Sequence, residues 1–304
     1  MEDLSGYFAR IPELRDRPDG DIRAERLGGL TNLVYRVRTP DRDYVLRVAG
    51  PGTETFIDRK VEAHNARAAA AAGVSPEVLF VDKTDGLMLM PHIPATTMSP
   101  ELFRSTAGAP ARAGAAFARL HDSGQTFEFH FELFQMIDGY LKLLGELGAT
   151  LPEGYHDVVQ EAEAVREVLD AKPAALAPCH CDPLCENFLD TGQAMWIVDW
   201  EYSGMNDPLW DLGDLSVEAG FSPEQDLEMM QAYRGGSVLE ADVGRMVVYK
   251  AMCDLLWTLW GLIQHAQDNP AEDFWAYSIE RFERCKALMG SSEFHDRLAA
   301  VRAG

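Results

Sequence analysis

The stretch His180-Cys-Asp-Pro-Leu-Cys-Glu-Asn187, with Ile197-Val-Asp-Trp-Glu201 after it, decides the predicted fold of this chain. Asp182 is followed five positions later by Asn187, and Asp199 comes at the end of an apolar run. Each of these residues alone is typical of an ordinary turn, because Asp and Asn favour loops. The combined spacing, with a predicted hairpin between Asn187 and Asp199, instead indicates one polar site.

The same spacing meets the requirements of phosphoryl transfer. We expect Asp182 to accept the proton of an attacking hydroxyl. Asn187 and Asp199 offer the hard oxygen ligands that Mg²⁺ prefers, and the metal would neutralise phosphate oxygens. His180 is predicted to be a buried hydrogen-bonding brace for this loop. The sequence therefore predicts a kinase site that uses Mg²⁺ and ATP.

The first 92 residues have the pattern of a small strand-rich lobe. Runs of β-branched and aromatic residues predict strands at 23–27, 33–38, 44–48, 78–81 and 87–90, and an alanine-rich run predicts a helix at 55–72. The turn Gly28-Gly-Leu-Thr-Asn32 separates the first two strands, where backbone N–H groups can contact phosphates. We expect Gly29, Thr31 and Asn32 to bind the nucleotide.

A cation and a carboxylate complete the predicted nucleotide site. Arg47 is placed to bind phosphate, with Glu62 of the following helix as its ion-pair partner. The segment Pro91-His-Ile-Pro94 then interrupts the strand pattern. We place a hinge near 90–94 and expect Pro91 and Ile93 to line the nucleotide site.

Residues 93–304 carry apolar side chains at helical spacing, most clearly at 101–123, 129–147 and 152–171. The predicted architecture is an α+β, protein-kinase-like bilobal fold. Its N-terminal lobe (1–92) is rich in strands and binds the nucleotide, and its C-terminal lobe (93–304) is helical and holds the catalytic loop and the acceptor site.

Composition limits the partners of this chain. It carries 49 Asp and Glu against 27 Lys and Arg, a formal charge of −22. Nucleic acids and anionic membranes attract basic surfaces, so we expect neither as a partner, whereas a cationic substrate suits the charge. The apolar stretch 247–263 is interrupted by Lys250 and Asp254, and no signal-peptide pattern is present, so we expect a cytoplasmic protein without membrane insertion.

Three of the five cysteines, Cys179, Cys181 and Cys185, surround His180. Cys and His are the usual zinc ligands, but no second pair follows at ligand spacing. We interpret the cysteines as reduced, partly buried thiols without an assigned role.

With these motifs in place, the chain resembles the choline/ethanolamine kinase branch of the aminoglycoside-phosphotransferase-like superfamily. Further segments that carry the resemblance are Tyr44-Val-Leu-Arg-Val-Ala-Gly50, Val198-Asp-Trp-Glu-Tyr-Ser-Gly-Met-Asn-Asp-Pro-Leu-Trp-Asp-Leu212 and Glu218-Ala-Gly-Phe221. The resemblance implies transfer of the γ-phosphate of ATP to a small amino alcohol, and it implies a structural role for Asp211. Cys181 departs from the Asn or Gly usual in the family, at a position without chemistry. Family members are often dimeric, which allows a homodimer here.

The resemblance also implies an acceptor site. The residues expected around the acceptor are Asp182, Glu201, Tyr202, Glu218, Trp257, Trp260 and Tyr277. The two tryptophans and Tyr277 match an aromatic wall for a quaternary ammonium group, and Glu218 matches an acidic residue beside the cation. Large aromatics on an apolar helix are also typical of a protein core.

Choline is the first choice of acceptor. Ethanolamine follows closely, because a primary ammonium group could donate hydrogen bonds to Glu218 and Asp254. A thiamine or aminoglycoside phosphotransferase would share Asp182, Asn187 and Asp199. A nucleotide-binding pseudokinase would be expected to lack one of these three residues, and none is missing.

Overall fold

The computed structural model describes residues 3–28, 32–50 and 57–304. Its N-terminal part holds the short helix α1 (Ser5–Phe8) and an antiparallel sheet whose strands follow the order β1-β2-β3-β5-β4. The strands are β1 (Arg23–Gly28), β2 (Leu33–Arg38), β3 (Asp43–Val48), β4 (Phe80–Val81) and β5 (Met88–Pro91). Helix α2 (Arg59–Ala71) lies between β3 and β4 in the chain.

Alternation of apolar residues explains this sheet. Tyr35 and Val37 of β2 are buried together with Tyr44, Leu46 and Val48 of β3, in a core that also holds residues of α1 and β5. The expected strands therefore form within one or two residues of their predicted bounds. Helix α2 begins after Asp58, whose side chain accepts a 2.8 Å hydrogen bond from the N–H of Lys60; the first residues of the predicted helix lie outside the described residues.

The C-terminal part is mainly helical. Its helices are α3 (Pro100–Ser105), α4 (Ala109–His121), α5 (Leu133–Leu147), α6 (Tyr155–Ala171), α7 (Leu209–Ala219), α8 (Pro223–Arg234), α9 (Glu240–Ala266), α10 (Phe274–Met289) and α11 (Ser292–Ala303). Short strands form two small sheets, β6-β8-β9 and β10-β7. Their bounds are β6 (Thr96–Thr97), β7 (Ala177–Cys179), β8 (Phe188–Asp190), β9 (Met195–Ile197) and β10 (Gly204–Asn206). The mixed α/β fold, with its sheet in the N-terminal part, confirms the predicted class.

Two of the predicted helical segments needed correction. The segment 101–123 is two helices, because Gly108 adopts a left-handed φ of 73° and Pro110 starts a new first turn. The segment 129–147 becomes helical only at Leu133, because residue His130 forms an isolated β-bridge to Met205. Apolar spacing continued across both interruptions, so periodicity alone did not show them.

Helix α9 is the central helix of the larger core. Among the described residues it is the one helix that is long and apolar enough to cross a membrane. However, 94% of its most apolar 18-residue segment is buried inside the protein. That burial is typical of a core helix. The larger core also includes Ala66 and Ala69 of α2 and Met88 and Met90 of β5, so both parts of the chain contribute to it. A lobe boundary near residue 92 stays a proposal.

Close packing of α9 against α10 depends on Gly261. A Cβ atom there would lie 2.4 Å from Ser278 Oγ and 2.7 Å from the ring of Tyr277. We expect Gly261→Ala to lower the free energy of unfolding by about 1–3 kcal/mol, because the helices must move apart. Gly139→Ala on α5, where a Cβ meets nothing within 4 Å, should instead be neutral or stabilising by about 0.5–1 kcal/mol. Urea unfolding of both variants checks this, and equal effects would contradict it.

Candidate active site

The catalytic loop that follows β7 is held by a buried carboxylate. Asp211 of α7 accepts hydrogen bonds from the backbone N–H of His180 at 2.7 Å and of Cys181 at 2.8 Å. The ring of His121 lies 3.0 Å from the same carboxylate through Nε2. Since Asp211 and His121 come from different helices, these bonds fix the loop directly before Asp182 to the helical core.

His180 links this loop to the strand that leads to Asp199. Its Nε2 lies 2.9 Å from the carbonyl oxygen of Val198, and its ring packs on Trp200 with centroids 4.8 Å apart. Burial lowers the pKa of His180, which favours a neutral ring that donates from Nε2 to the carbonyl. The position fits the bracing role that we propose for it.

Asp182 lies among other acidic groups. Burial raises the pKa of Asp182 well above its usual range, and the carboxylates of Glu218, Glu201 and Asp199 raise it further. Asn187 donates from Nδ2 to the backbone carbonyl of Asp182 at 3.2 Å, which leaves the amide oxygen of Asn187 available as a ligand. The loop therefore presents a carboxylate and an amide oxygen side by side.

Two residues of the site have an uncommon backbone conformation. Cys181 and Asp199 both have a φ of 68°, in the left-handed region that non-glycine residues rarely adopt. Such conformations cost about 1–3 kcal/mol each and persist where the surrounding structure holds them. They occur directly before Asp182 and at Asp199 itself, the two carboxylates with proposed chemical roles.

On the N-terminal side of the site, Arg47 connects two acidic residues. It forms ion pairs with Glu62 of α2 and with Asp199, the latter at 2.9 Å. Glu62 also pairs with Arg59 at 2.8 Å. The predicted Arg47–Glu62 pair is thus present, and its cation also reaches the proposed metal ligand.

Asn32 and Glu201 extend this cluster. Asn32 is buried, and its Nδ2 donates to Glu201 at 3.1 Å. Burial, together with the neighbouring Asp199, raises the pKa of Glu201 to about 7. Burial likewise raises the pKa of Asp199, although Arg47 opposes this change. Glu201, which we expected beside the acceptor, therefore bonds on the side of Asn32 and Asp199.

The donor set fits a divalent cation. Carboxylate oxygens of Glu62, Asp199 and Glu201 lie within 4.8 Å of one another, and Asn187 adds a further oxygen ligand. Carboxylate and amide oxygens are what Mg²⁺ binds in phosphotransferase sites. A bound cation would also stabilise the ionised forms of Asp199 and Glu201, whose pKa values burial and neighbouring carboxylates raise.

The remaining residues of the predicted nucleotide site are less defined. Gly29 and Thr31 lie outside the described residues. Pro91 ends β5, where it pairs with Tyr44, and Ile93 follows in the connecting segment. Both side chains are half-buried, and their contact with a nucleotide stays a prediction.

The aromatic residues of the predicted acceptor site lie together. Tyr202 packs edge-to-face on Trp257 with centroids 5.6 Å apart, and its hydroxyl accepts a 3.1 Å hydrogen bond from Trp260 Nε1. Trp260 in turn contacts Tyr277 at 6.0 Å. Residues from three separate segments thus form one continuous aromatic cluster.

A cation of the protein already lies on this cluster. The guanidinium of Arg281 stands 4.4 Å over the ring of Tyr277 and pairs with Glu218 at 2.5 Å. Glu218 and one face of Tyr277 are therefore occupied by an internal partner. The sequence analysis predicted that Glu218 and Tyr277 contact the substrate.

The cysteines are free, buried thiols in the structure. Burial raises the pKa of Cys179 and Cys181 well above the usual range, which disfavours the thiolate that a metal needs. The thiol of Cys179 lies near His121 and Asp211, and those two residues already bond each other. The interpretation as reduced thiols fits these surroundings.

Sequence reasoning missed Asp214 and Arg281. Asp214 stands three residues after Asp211 and four before Glu218 on α7, a spacing that places all three on one helical face. Arg281 follows Tyr277 by four residues, the spacing at which helical side chains meet. Both helical spacings could have been read from the sequence.

Comparison with known proteins places the chain in a family. Residues 23–246 match the model of the phosphotransferase enzyme family, and the chain belongs to this family. A solved choline/ethanolamine kinase family protein from Mesorhizobium loti is 60% identical, covers 99% of this chain and 98% of its own, and superposes with a TM-score of 0.91. Within the phosphotransferases, the chain is therefore a member of the choline/ethanolamine kinase family.

More distant relatives are similar along most of the chain. The choline kinase LicA from Streptococcus pneumoniae is 26% identical, covers 88% of this chain and 93% of its own, and has a TM-score of 0.74. Ethanolamine kinase 2 of Mus musculus is 28% identical over 92% of this chain and 80% of its own length. The two relatives carry different acceptors in their names.

Proposed function

We propose that this protein transfers the γ-phosphoryl group of ATP to the hydroxyl of a small amino alcohol, choline or ethanolamine. The observation that carries the proposal is the position of Asp182. Burial and the carboxylates of Glu218, Glu201 and Asp199 raise its pKa, and Asn187 of the same loop donates to its backbone carbonyl. We infer that Asp182 lies between the proposed metal site and the aromatic cluster, as a base for the acceptor hydroxyl requires.

In the proposed reaction, Asp182 orients the acceptor hydroxyl and takes its proton as the oxygen attacks the γ-phosphorus. An O–P bond forms, and the bond to the β,γ-bridging oxygen breaks, so that ADP leaves. Mg²⁺, held by Asn187 and Asp199 with Glu62 and Glu201 nearby, would neutralise charge on the phosphates. Arg47 would contribute a further positive charge to them. We place this reaction in the cytoplasm, where both substrates are available.

Two observations bear on the acceptor in opposite directions. The aromatic cluster of Tyr202, Trp257 and Trp260 favours choline, because quaternary ammonium groups bind over aromatic faces. Arg281, however, already covers the face of Tyr277 and neutralises Glu218. A complete aromatic enclosure of the substrate is therefore not available unless Arg281 moves.

An ADP-release assay with Mg²⁺ and ATP tests the function. We expect choline or ethanolamine to stimulate turnover to about 1–100 s⁻¹, the usual range of kinases, with a phosphomonoester product detected by ³¹P NMR. Thiamine and an aminoglycoside should give much lower rates, because both are larger than the amino alcohol that we assign to the aromatic cluster. Nucleotide binding without stimulation by any acceptor would contradict the proposal and favour the pseudokinase.

A further inference from the structure

Asp214 of α7 has a carboxylate oxygen without a partner. Its side chain is buried, with 1% of its surface exposed. Oδ2 accepts a long hydrogen bond of 3.4 Å from the indole N–H of Trp257. In the described part of the chain, nothing donates to Oδ1. Buried carboxylate oxygens in folded proteins are nearly always hydrogen-bonded, so this atom can accept from a donor that the described residues do not supply.

Two acidic groups on α7 and α9, Glu218 and Asp254, differ from Asp214 because each has a cation. Glu218, one helical turn further along α7, pairs with Arg281 at 2.5 Å. Asp254 of α9 pairs with Arg284 at 2.5 Å and lies 3.4 Å from Arg281. Within the described residues, no ion pair to Asp214 is formed. A positively charged ligand would therefore bind at Asp214 rather than at Glu218, and its charge would favour the ionised form of the Asp214 carboxyl.

The surroundings of Asp214 belong to the acceptor site. Trp257, which holds Oδ2, is the tryptophan that packs on Tyr202. The carboxylates of Glu218 and Asp182 are close enough to raise the pKa of Asp214, which burial already places well above its usual range. The hydrogen bond from Trp257 therefore joins Asp214 to the aromatic cluster.

We propose that Asp214 is the carboxylate that binds the acceptor, and that its Oδ1 accepts an N–H from the substrate's ammonium group. The proposal rests on the amino-alcohol kinase function and deepens it. A quaternary ammonium group carries the charge but has no N–H, so it leaves Oδ1 without a partner. The site therefore selects amino alcohols that keep at least one N–H over quaternary ones.

A methylation series tests this selection in the unmodified protein. Ethanolamine, its N-methyl and N,N-dimethyl derivatives and choline keep the positive charge while the number of N–H groups falls from three to zero. Loss of a hydrogen bond to a charged group weakens binding about 10- to 100-fold. We expect kcat/KM to fall by that factor at the last methylation and to change little before it. A choline kcat/KM equal to or above that of dimethylethanolamine would overturn the proposal.

Asp214→Asn assigns the selection to this residue. A neutral amide oxygen accepts about half as strongly as a carboxylate. In this variant the fall in kcat/KM from dimethylethanolamine to choline should therefore be only about 3- to 10-fold, and kcat/KM for ethanolamine should fall at least tenfold. The KM for ATP should stay unchanged. Glu224→Gln on α8 removes the same charge from an exposed position, so the fall in kcat/KM from dimethylethanolamine to choline should equal that of the unmodified protein. The same undiminished fall in Asp214→Asn would overturn the role of Asp214.

Calorimetric binding of the four amines to the unmodified protein tests this proposal separately from the proposed function. It also tests whether the site prefers ligands with an N–H if Asp214→Asn does not fold. Tighter binding of dimethylethanolamine than of choline by about tenfold supports selection by an N–H acceptor, and equal binding overturns it. Absence of turnover with any amine would overturn the kinase function alone.

Discussion

Replacement of Asp182 by Asn is expected to reduce kcat by about 100- to 10,000-fold, the range associated with loss of a general base. The amide keeps the size of the side chain but cannot accept the proton of the acceptor hydroxyl. Because Asp182 lies among Glu218, Glu201 and Asp199, loss of its charge also relieves repulsion, so the fold should be retained or stabilised. Steady-state kinetics and thermal unfolding of the same preparation measure both effects.

The matched control for Asp182→Asn is Glu186→Gln, an exposed acidic residue of the same loop, which should retain activity. The pH profile supplies a second readout. Since the pKa of Asp182 is raised, its carboxylate is the active form above that pKa, and kcat/KM should fall as the pH drops through it. This acid limb should be absent in Asp182→Asn. A variant with near-normal turnover and an unchanged acid limb would exclude Asp182 as the base.

Replacement of Asp211 by Asn should produce the largest loss of stability. The carboxylate accepts from the backbone N–H of His180 and Cys181 and contacts His121. An amide turns one acceptor into a donor that faces another donor, at a side chain that is fully buried. We expect the free energy of unfolding to fall by about 3–5 kcal/mol, as when one partner of a buried charged network is removed.

Urea unfolding measures this loss, with Asp138→Asn on the exposed side of α5 as the control. Surface changes of this kind usually stay within about 0.5 kcal/mol. Asp211→Asn should also lower kcat, because the loop before Asp182 loses its anchor. If Asp211→Asn unfolds at the same urea concentration as the control, the hydrogen bonds of Asp211 do not stabilise the fold as we propose.

The order of strands and helices was predictable from local patterns. Strands β2 and β3 follow from alternating apolar residues that face one core. The break before α4 was not, since apolar spacing continues through Gly108 and Pro110. Strands β7 and β10 are three residues long and pair with each other from distant parts of the chain, so nothing local distinguishes them from loops.

The part of the candidate site that comes from one short segment was also predictable. The spacing of Asp182, Asn187 and Asp199 comes from a short segment, and the structure places them near one another. What spacing could not give is the pairing of charges across the fold. Arg281 pairs with Glu218 across 63 positions of chain, whereas Asp214 forms no ion pair with any of the described residues.

Helix α9 has a consequence for how this protein could evolve. Trp257 and Trp260 lie on a helix whose neighbouring residues Leu255, Leu256 and Leu259 are wholly buried. A change of shape at either tryptophan therefore disturbs the packing that keeps the whole C-terminal part folded. Tyr277 and Arg281 come from α10, and Tyr277 is only half-buried. Drift in acceptor preference should thus proceed through the half-buried ring of Tyr277, while α9 and the buried ion pair of Arg281 remain constant.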